Sequence, residues 1–478
     1  MVTMKTILDG EIILRKSHFM QSIRSREGCI IWHSLFGNPK IVSEKTLDFL
    51  DLFSKPRKLN TAVDVANIKG DQIAIIKNLI DCYYLVLQGF DERKFLVEKM
   101  AERESTITNG SLITYLELIM SEACNFRCTY CVHFNNLGTS RRINNPKKFM
   151  RYEMAKEAVD QYIRILKGHK KRIARINFGG GEPLLMWSVI KQVLEYCHAT
   201  YGAQFEFYFS INTNASLITQ DIAEALKKHR VEIASSLDGL YEGNDCVRMT
   251  SSGSGTFSQI VRGFDKLAQI GYPLSGIAMT VNEHNFPMLD ESIVDWVAKR
   301  NMSEIRIDID VIGMVEIPVE DIIKKLMLIR QYAKSKRIDI AGFWSRPVEN
   351  LNDSTLDTNV AFCGAVRGNS VCVSPSGNIY GCGYSNTQLG TLAQISTIHK
   401  PNSQYHRFVK SHLTGVARMC RGCMIEGQCG GGCNITQEFV RVAETAKFER
   451  MCGLYRRMTQ ELLLEQLRES NSGVSEKI

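Results

Sequence analysis

No run in the 478 residues stays apolar over the ~18–20 positions a membrane-spanning helix needs. The opening stretch, MVTMKTILDGEIILRK, is broken by charges and lacks a signal-peptide core, so a cytoplasmic protein is expected, with no membrane partner. Internal repeats and low-complexity tracts are also missing, which excludes solenoid and fibrous architectures. A strong charge of one sign is missing too. The net charge of +8 suits either a solvated basic face or attraction to an acidic partner, and charge alone does not separate the two.

With 44% hydrophobic and 23% charged residues, the chain has the composition of an ordinary globular protein. Its length suggests roughly three domains at about 150 residues each. The conspicuous excess is cysteine, with fifteen in all. In a cytosolic chain these point to metal or redox chemistry rather than to disulfides. They are unevenly placed: seven lie from Cys363 to Cys433, and Cys452 follows.

The pattern divides the chain into segments. Residues 1–105 hold strand-like runs, EIILR and CIIWHSLF, followed by helix-like ones. SEKTLDFLDLFSK opens on Ser43 as an N-cap and puts Leu47, Leu50 and Phe53 on one stripe. QIAIIKNLIDCYYLVLQG reads as a helix stopped by Gly89. A small winged-helix-like α+β module is expected. From 106 to 315, six strand candidates (YLELIM, RINF, FEFYFSI, VEIASSL, SGIAMTV, EIRIDIDV) alternate with helices such as YEMAKEAVDQYIRILKG. This alternation predicts an α/β fold of parallel βα units, a partial (β/α)6 barrel of the TIM type if the sheet curls, with its chemistry at the C-terminal strand ends. Residues 316–362 read as a bridge, 363–460 as a cysteine-rich domain, and 461–478 as a polar tail.

Two cysteine clusters carry chemistry. In EACNFRCTYCVHF, Cys124, Cys128 and Cys131 follow the first barrel strand directly. Three thiolates can hold three irons of a 4Fe–4S cluster and leave the fourth iron open for a small ligand. Three buried cysteines, or a zinc site borrowing a fourth ligand, are the alternatives. CRGCMIEGQCGGGC repeats the theme with Cys420, Cys423, Cys429 and Cys433, and a zinc ribbon is again the alternative.

The CxxxCxxC spacing, with Tyr130 before its last cysteine, resembles the radical S-adenosylmethionine (SAM) superfamily. NFGGGEPLL after the second strand is similar to that family's Gly-Gly-Glu-Pro motif, at Gly180, Gly181, Glu182 and Pro183. SINTNA resembles its Thr-Asn-Gly through Thr213 and Asn214, with Ala215 where glycine is usual. SSLDGLYEGNDCVR resembles a Ser-Leu-Asp-Gly…Arg pattern. The resemblance implies SAM contacts at Tyr130, Gly180, Gly181, Glu182, Ser210, Asn214, Ser236 and Arg248, the last through its carboxylate-matching fork.

The second cluster, with Cys363, Gly377, Cys382 and Cys452, resembles the SPASM extension. Carried over, auxiliary cluster I takes Cys363, Cys382 and Cys433, and auxiliary cluster II takes Cys420, Cys423, Cys429 and Cys452. Three 4Fe–4S clusters and SAM are the cofactors implied. Cys372, on the strand-like SVCVS, is not expected to be a ligand, so cluster I has an open iron. Gly383 stands where sulfatase-maturing relatives place a basic aspartate. The N-terminal module resembles a PqqD-like element that adds a leader peptide to a strand edge.

Together these resemblances imply a maturase of ribosomally made peptides, reduced by an external flavodoxin- or ferredoxin-type donor. Intramolecular cross-linking (carbon–carbon, ether or thioether, of the darobactin or cyclophane kind) is the expected outcome, with epimerisation the chemical alternative. Asp308 and Asp310 share one strand face by alternation and are the candidates for a base. A metal-binding transcription regulator is the remote alternative. It calls for a basic recognition helix, whereas SEKTLDFLDLFSK is near neutral, and it leaves GGGEP unexplained; no nucleic-acid partner is expected.

Overall fold

The apolar runs that alternate with amphipathic stretches after residue 114 fold into parallel βα units. The structure, a computed structural model, describes residues 11–66, 73–132, 148–310, 316–352, 362–413, 415, 417–440 and 445–474. The opening residues, on which the absence of a signal core was read, lie in part outside these.

Strands β1 (Ile13–Lys16), β2 (Met20–Ser25), β3 (Gly28–His33) and β4 (Gly37–Val42) open the chain. β2, β3 and β4 form one antiparallel sheet, and β1 pairs with β5 (Arg57–Lys58) and β6 (Leu85–Leu87) in another. Helices Glu44–Asp51, Leu59–Val65 and Ile73–Asp81 pack beside them. Ser43 caps the first of these, accepting from Thr46 N, and Leu47, Leu50 and Phe53 are buried. The helix expected to reach Gly89 stops at Asp81 instead. Tyr83 turns the chain at φ +62°, and Leu85–Leu87 becomes β6, paired to β1 at Leu14↔Leu87. Apolar periodicity over a short run does not separate a helix from a buried strand. β3 is buried on both faces: Cys29 and Ile31 join the module's own core, while Ile30 and Trp32 join the core of the main body.

The main body carries the six expected strands: β7 (Tyr115–Ser121), β8 (Ile173–Gly180), β9 (Glu206–Thr213), β10 (Glu232–Ser235), β11 (Gly276–Val281) and β12 (Glu304–Ile309). β7 to β10 run parallel in order, as do β11, β12 and β13 (Asp339–Ala341). A single parallel bridge, Ser236↔Ala278, joins the two sets. The bridging segment therefore supplies a seventh parallel strand. Helix Tyr152–Gly168 shows why the helices lie outside: Ala155, Ala158, Val159, Tyr162, Ile163 and Leu166 make one buried stripe against the sheet.

The cysteine-rich segment is not separate from this sheet. β14 (Ser370–Val373) pairs parallel with β7, and β15 (Asn378–Tyr380) and β16 (Gln388–Thr391) extend it as antiparallel strands. The expected polar tail at 461–478 is also corrected. Helix Thr445–Val474 runs through most of it, burying Met451, Leu454, Tyr455, Met458, Leu462, Leu463 and Leu467. Spacings of three and four put these on one face, and Glu465 pairs with Arg330 at 2.9 Å. Among the described residues, no helix is long and apolar enough to cross a membrane.

Candidate cluster and cofactor site

The first cysteine loop leaves the end of β7 and is pinned on two sides. Arg127 N and Thr129 N donate to Met249 O and Val247 O at 2.6 and 2.8 Å. Asn214 Nδ2 donates to Asn125 Oδ1, and Asn125 Nδ2 to Ser216 Oγ, both at 2.9 Å. The GGGEP turn at the end of β8 closes on the same loop. Gly181 N donates to Ser121 O at 2.6 Å and Glu182 N to Ala123 O at 3.0 Å. A Cβ on Gly181 would stand 2.3 Å from Ala123 O, and Gly180 has φ +128°. The glycines are thus required by the protein's own backbone at the strand ends.

Glu182 is fully buried, and both its oxygens are engaged. Oε1 accepts from Leu184 N (3.0 Å) and Thr213 Oγ1 (2.7 Å), and Oε2 accepts from Asn214 N (2.9 Å). Its carboxylate ties the GGGEP turn to the TNA turn. Burial raises its pKa, opposed by these bonds. Ser210 donates to Asn177 on the neighbouring strand at 2.9 Å, three residues before the end of β9. Ser236 sits at the bridge between β10 and β11.

Arg248 and Tyr130 meet around a residue that motif reading passed over. The Arg248 Nε donates to Asp238 Oδ2 at 3.0 Å and its Nη2 to the Tyr130 hydroxyl at 2.5 Å, while Tyr130 donates to Asp238 at 2.5 Å. Burial alone would lower the Arg248 pKa; Asp238 first, then Tyr130, hold it well above the ordinary value. Asp238 also accepts from Thr280 N at 2.9 Å, so it closes the seam between β10 and β11. The signal was present in the sequence as the aspartate of SSLDG.

The thiols fall into three neighbourhoods. Burial pushes Cys124 up to about 12, and Cys128 and Cys131 add to it. Cys382 is raised by burial, by Glu117, and by Cys433 and Cys363; Cys433 goes to about 11 by burial and then Cys363. Cys420 goes to about 12 by burial, then Cys452 and Cys423, and Cys429 is raised by burial and by all three of these. Cys363, Cys382 and Cys433 thus neighbour one another, as do Cys420, Cys423, Cys429 and Cys452. Cys372 stands apart, its thiol donating to Glu117 on β7 at 2.9 Å. The loop after Cys382 is held by Glu438, which accepts from Ser385 Oγ, Asn386 N and Thr387 Oγ1.

Buried thiols that raise one another's pKa are the donor set a positive metal centre stabilises as thiolates, so these residues fit iron–sulfur clusters. A cluster takes one thiolate per iron, and its ligands surround a volume rather than a point. Among the described residues, no three Cys, His, Asp or Glu side chains converge on a single-ion site. The candidate bases separate. Asp308 accepts from Arg306 Nε (2.7 Å) and Phe343 N (2.8 Å) and lies near enough to Cys433 to raise it. Asp310 lies beyond the end of β12, its N–H on Val281 O.

Comparisons with known proteins agree with this geometry. Residues 118–295 match the model of the radical SAM superfamily. The chain is 24% identical over 434 residues to the radical SAM cyclopropyl synthase TigE of Paramaledivibacter caminithermalis, spanning 88% of this chain and 89% of TigE. Among solved structures it is similar to anSMEcpe with bound AdoMet and Cp18Cys peptide (TM-score 0.59, 18% identity, 76% of this chain and 99% of that one). It is also similar to Streptococcus suis SuiB bound to S-adenosylmethionine (TM-score 0.52, 15% identity, 91% and 98%). The structural likenesses establish a shared fold.

Proposed function

From a chain that carries a radical SAM domain and is an enzyme related to peptide and protein modifiers, we propose a maturase that builds a new bond within a ribosomally made precursor peptide. The observation that carries the reading is the sorting of ten thiols into three groups. Cys124, Cys128 and Cys131 would hold the SAM cluster, Cys363, Cys382 and Cys433 auxiliary cluster I, and Cys420, Cys423, Cys429 and Cys452 auxiliary cluster II.

When bound, the first cluster with SAM supplies a 5′-deoxyadenosyl radical able to take a hydrogen atom from the peptide. The chain's own residues position it. Gly180 and Gly181 bring the β8 end against the cysteine loop, and Glu182 locks that turn to Asn214. Asp238 orients Arg248 and Tyr130, whose ring and fork would meet the adenine and carboxylate ends of SAM. Ser210 and Ser236 line the strand ends. Among the candidate bases, Asp308 has the better placement, beside Cys433. The sheet β2–β3–β4 beside three helices supports a PqqD-like leader site at the N-terminal module. An external ferredoxin- or flavodoxin-type donor would supply the electron. Likeness to a cyclopropyl synthase along most of the chain favours carbon–carbon bond formation over epimerisation.

The test is iron and sulfide content after anaerobic reconstitution, with reductive SAM cleavage on the same sample. About twelve irons per chain and 5′-deoxyadenosine are expected. Zinc in place of iron, without SAM cleavage, overturns the reading.

A further inference from the structure

Four contacts tie the N-terminal module to one short stretch of chain, the residues between Cys423 and Cys429. Trp32 Nε1 donates to Met424 O at 2.7 Å. Gly427 N donates to Ser34 O at 2.8 Å. Arg93 forms a two-pronged pair with Glu426, at 2.6 and 3.0 Å. The Gln428 amide, with its nitrogen turned to Ser34 O, accepts from Gly37 N at 3.1 Å. The approach leaves no slack: a Cβ on Gly427 would stand 2.1 Å from Leu35 O.

The interface is also dry. Trp32, Leu35, Ile425 and Glu426 are each no more than 1% exposed, and Cys429 is 6% exposed. Glu426 additionally accepts from Gly422 N at 3.0 Å, so the carboxylate that Arg93 grips also shapes the turn between Cys420 and Cys423. A buried carboxylate is tolerable because the Arg93 fork neutralises it with directed bonds. Seen from the module, Trp32 and Leu35 pack into the main body's core, not the module's own.

We propose that the N-terminal module is a wall of the pocket formed by Cys420, Cys423, Cys429 and Cys452, with Trp32 and Arg93 as positioning residues for the cluster held there. The inference rests on the auxiliary-cluster reading above. It makes peptide recognition and the second auxiliary cluster one mechanical unit. The lability and potential of an iron–sulfur cluster follow its solvent exposure and surrounding hydrogen bonds. Loosening the wall should therefore act on this cluster selectively. A detachable recognition arm would be dispensable to it.

The experiment uses the full chain, reconstituted without peptide. Trp32→Phe removes one hydrogen bond and keeps the apolar bulk, Arg93→Ala removes the fork, and Arg93→Lys restores a charge. Lys58→Ala, which removes an exposed ion pair with Glu11 and none of the four contacts above, is the control. Iron content, chelator-challenge kinetics and EPR-monitored redox titration are read together. The expected result is loss of about four of twelve irons, or at least threefold faster loss of one cluster's signal, in Trp32→Phe and Arg93→Ala. Arg93→Lys should recover part of it, Lys58→Ala should match the parent, and SAM cleavage should persist. A parent with about twelve irons and both variants indistinguishable from it would overturn the inference alone. A parent with only about four irons would overturn the auxiliary-cluster reading and the inference with it.

Discussion

His33 shows how much one side chain can settle. It is fully buried, stacked on Phe36 at 4.1 Å, and its Nδ1 accepts from Leu35 N and Phe36 N. The other ring nitrogen therefore carries the proton and donates to Ser17 Oγ, which in turn donates to Glu92, itself paired with Arg15. Burial lowers its pKa to about 3. The unfolded chain, with an ordinary value of about 6.5, binds more protons in between, so stability falls as pH drops from about 6.5 toward 3. The expected contribution is on the order of a few kcal/mol. His33→Gln should be less stable near pH 7 yet lose less on acidification, measured as the difference in thermal midpoint between parent and variant at each pH. None of this was legible in the sequence, because a lone histidine in an apolar run does not announce its partners. The cysteine loop and GGGEP could be picked out by their spacing, and the structure brings the two turns together at the ends of β7 and β8. The motif singled out Glu182, but not its bonds to two turns at once, to Leu184 N and to Asn214 N.

At the scale of elements, the strand ends matter more than the strands. All six strand candidates could be read from their apolar runs between helices, whereas their pairing register came only with the structure. The resemblance singled out Gly180 and Gly181 for SAM, and the structure adds a second need for them: a Cβ on either would meet the backbone of residues 121–123. Gly181→Ala should force the β8 turn off the cysteine loop, for the clash is with a carbonyl that cannot step aside. On the proposed cluster assignment, the expected outcome is loss of about four irons, those assigned to Cys124, Cys128 and Cys131, with the others kept. Iron analysis with SAM-binding calorimetry checks it, and unchanged iron would show that the turn has slack. The run YYLVL was misread for the opposite reason. Its pairing partner, β1, lies some seventy residues earlier, and local periodicity carries no trace of it.

For the whole molecule, the segment boundaries drawn from composition were only partly useful. The cysteine-rich region lends β14 to the barrel sheet, and the supposed tail is a helix that packs on the N-terminal sheet and on helix Val319–Ser335. Glu465 and Glu469 of the supposed tail pair with Arg330 and Lys334. Polar letters dominated the reading of residues 461–478, while Leu462, Leu463 and Leu467 carried the structure. Leu463→Ala should cost about 2–5 kcal/mol, as for other fully buried leucines. The check is the thermal midpoint, and one unchanged from the parent would show that the buried face of this helix adds little to stability.

The parallel pairing of β14 with β7 has a consequence in time. A ribosome completes β7 long before it reaches β14, so the nascent barrel waits with an open edge while some two hundred and fifty further residues are made. Trp32 waits longer still, since its cover at 424–428 lies some 392 residues further along the chain. Completion of the fold therefore lags behind synthesis, for β3 and β7 are sealed only by segments made much later.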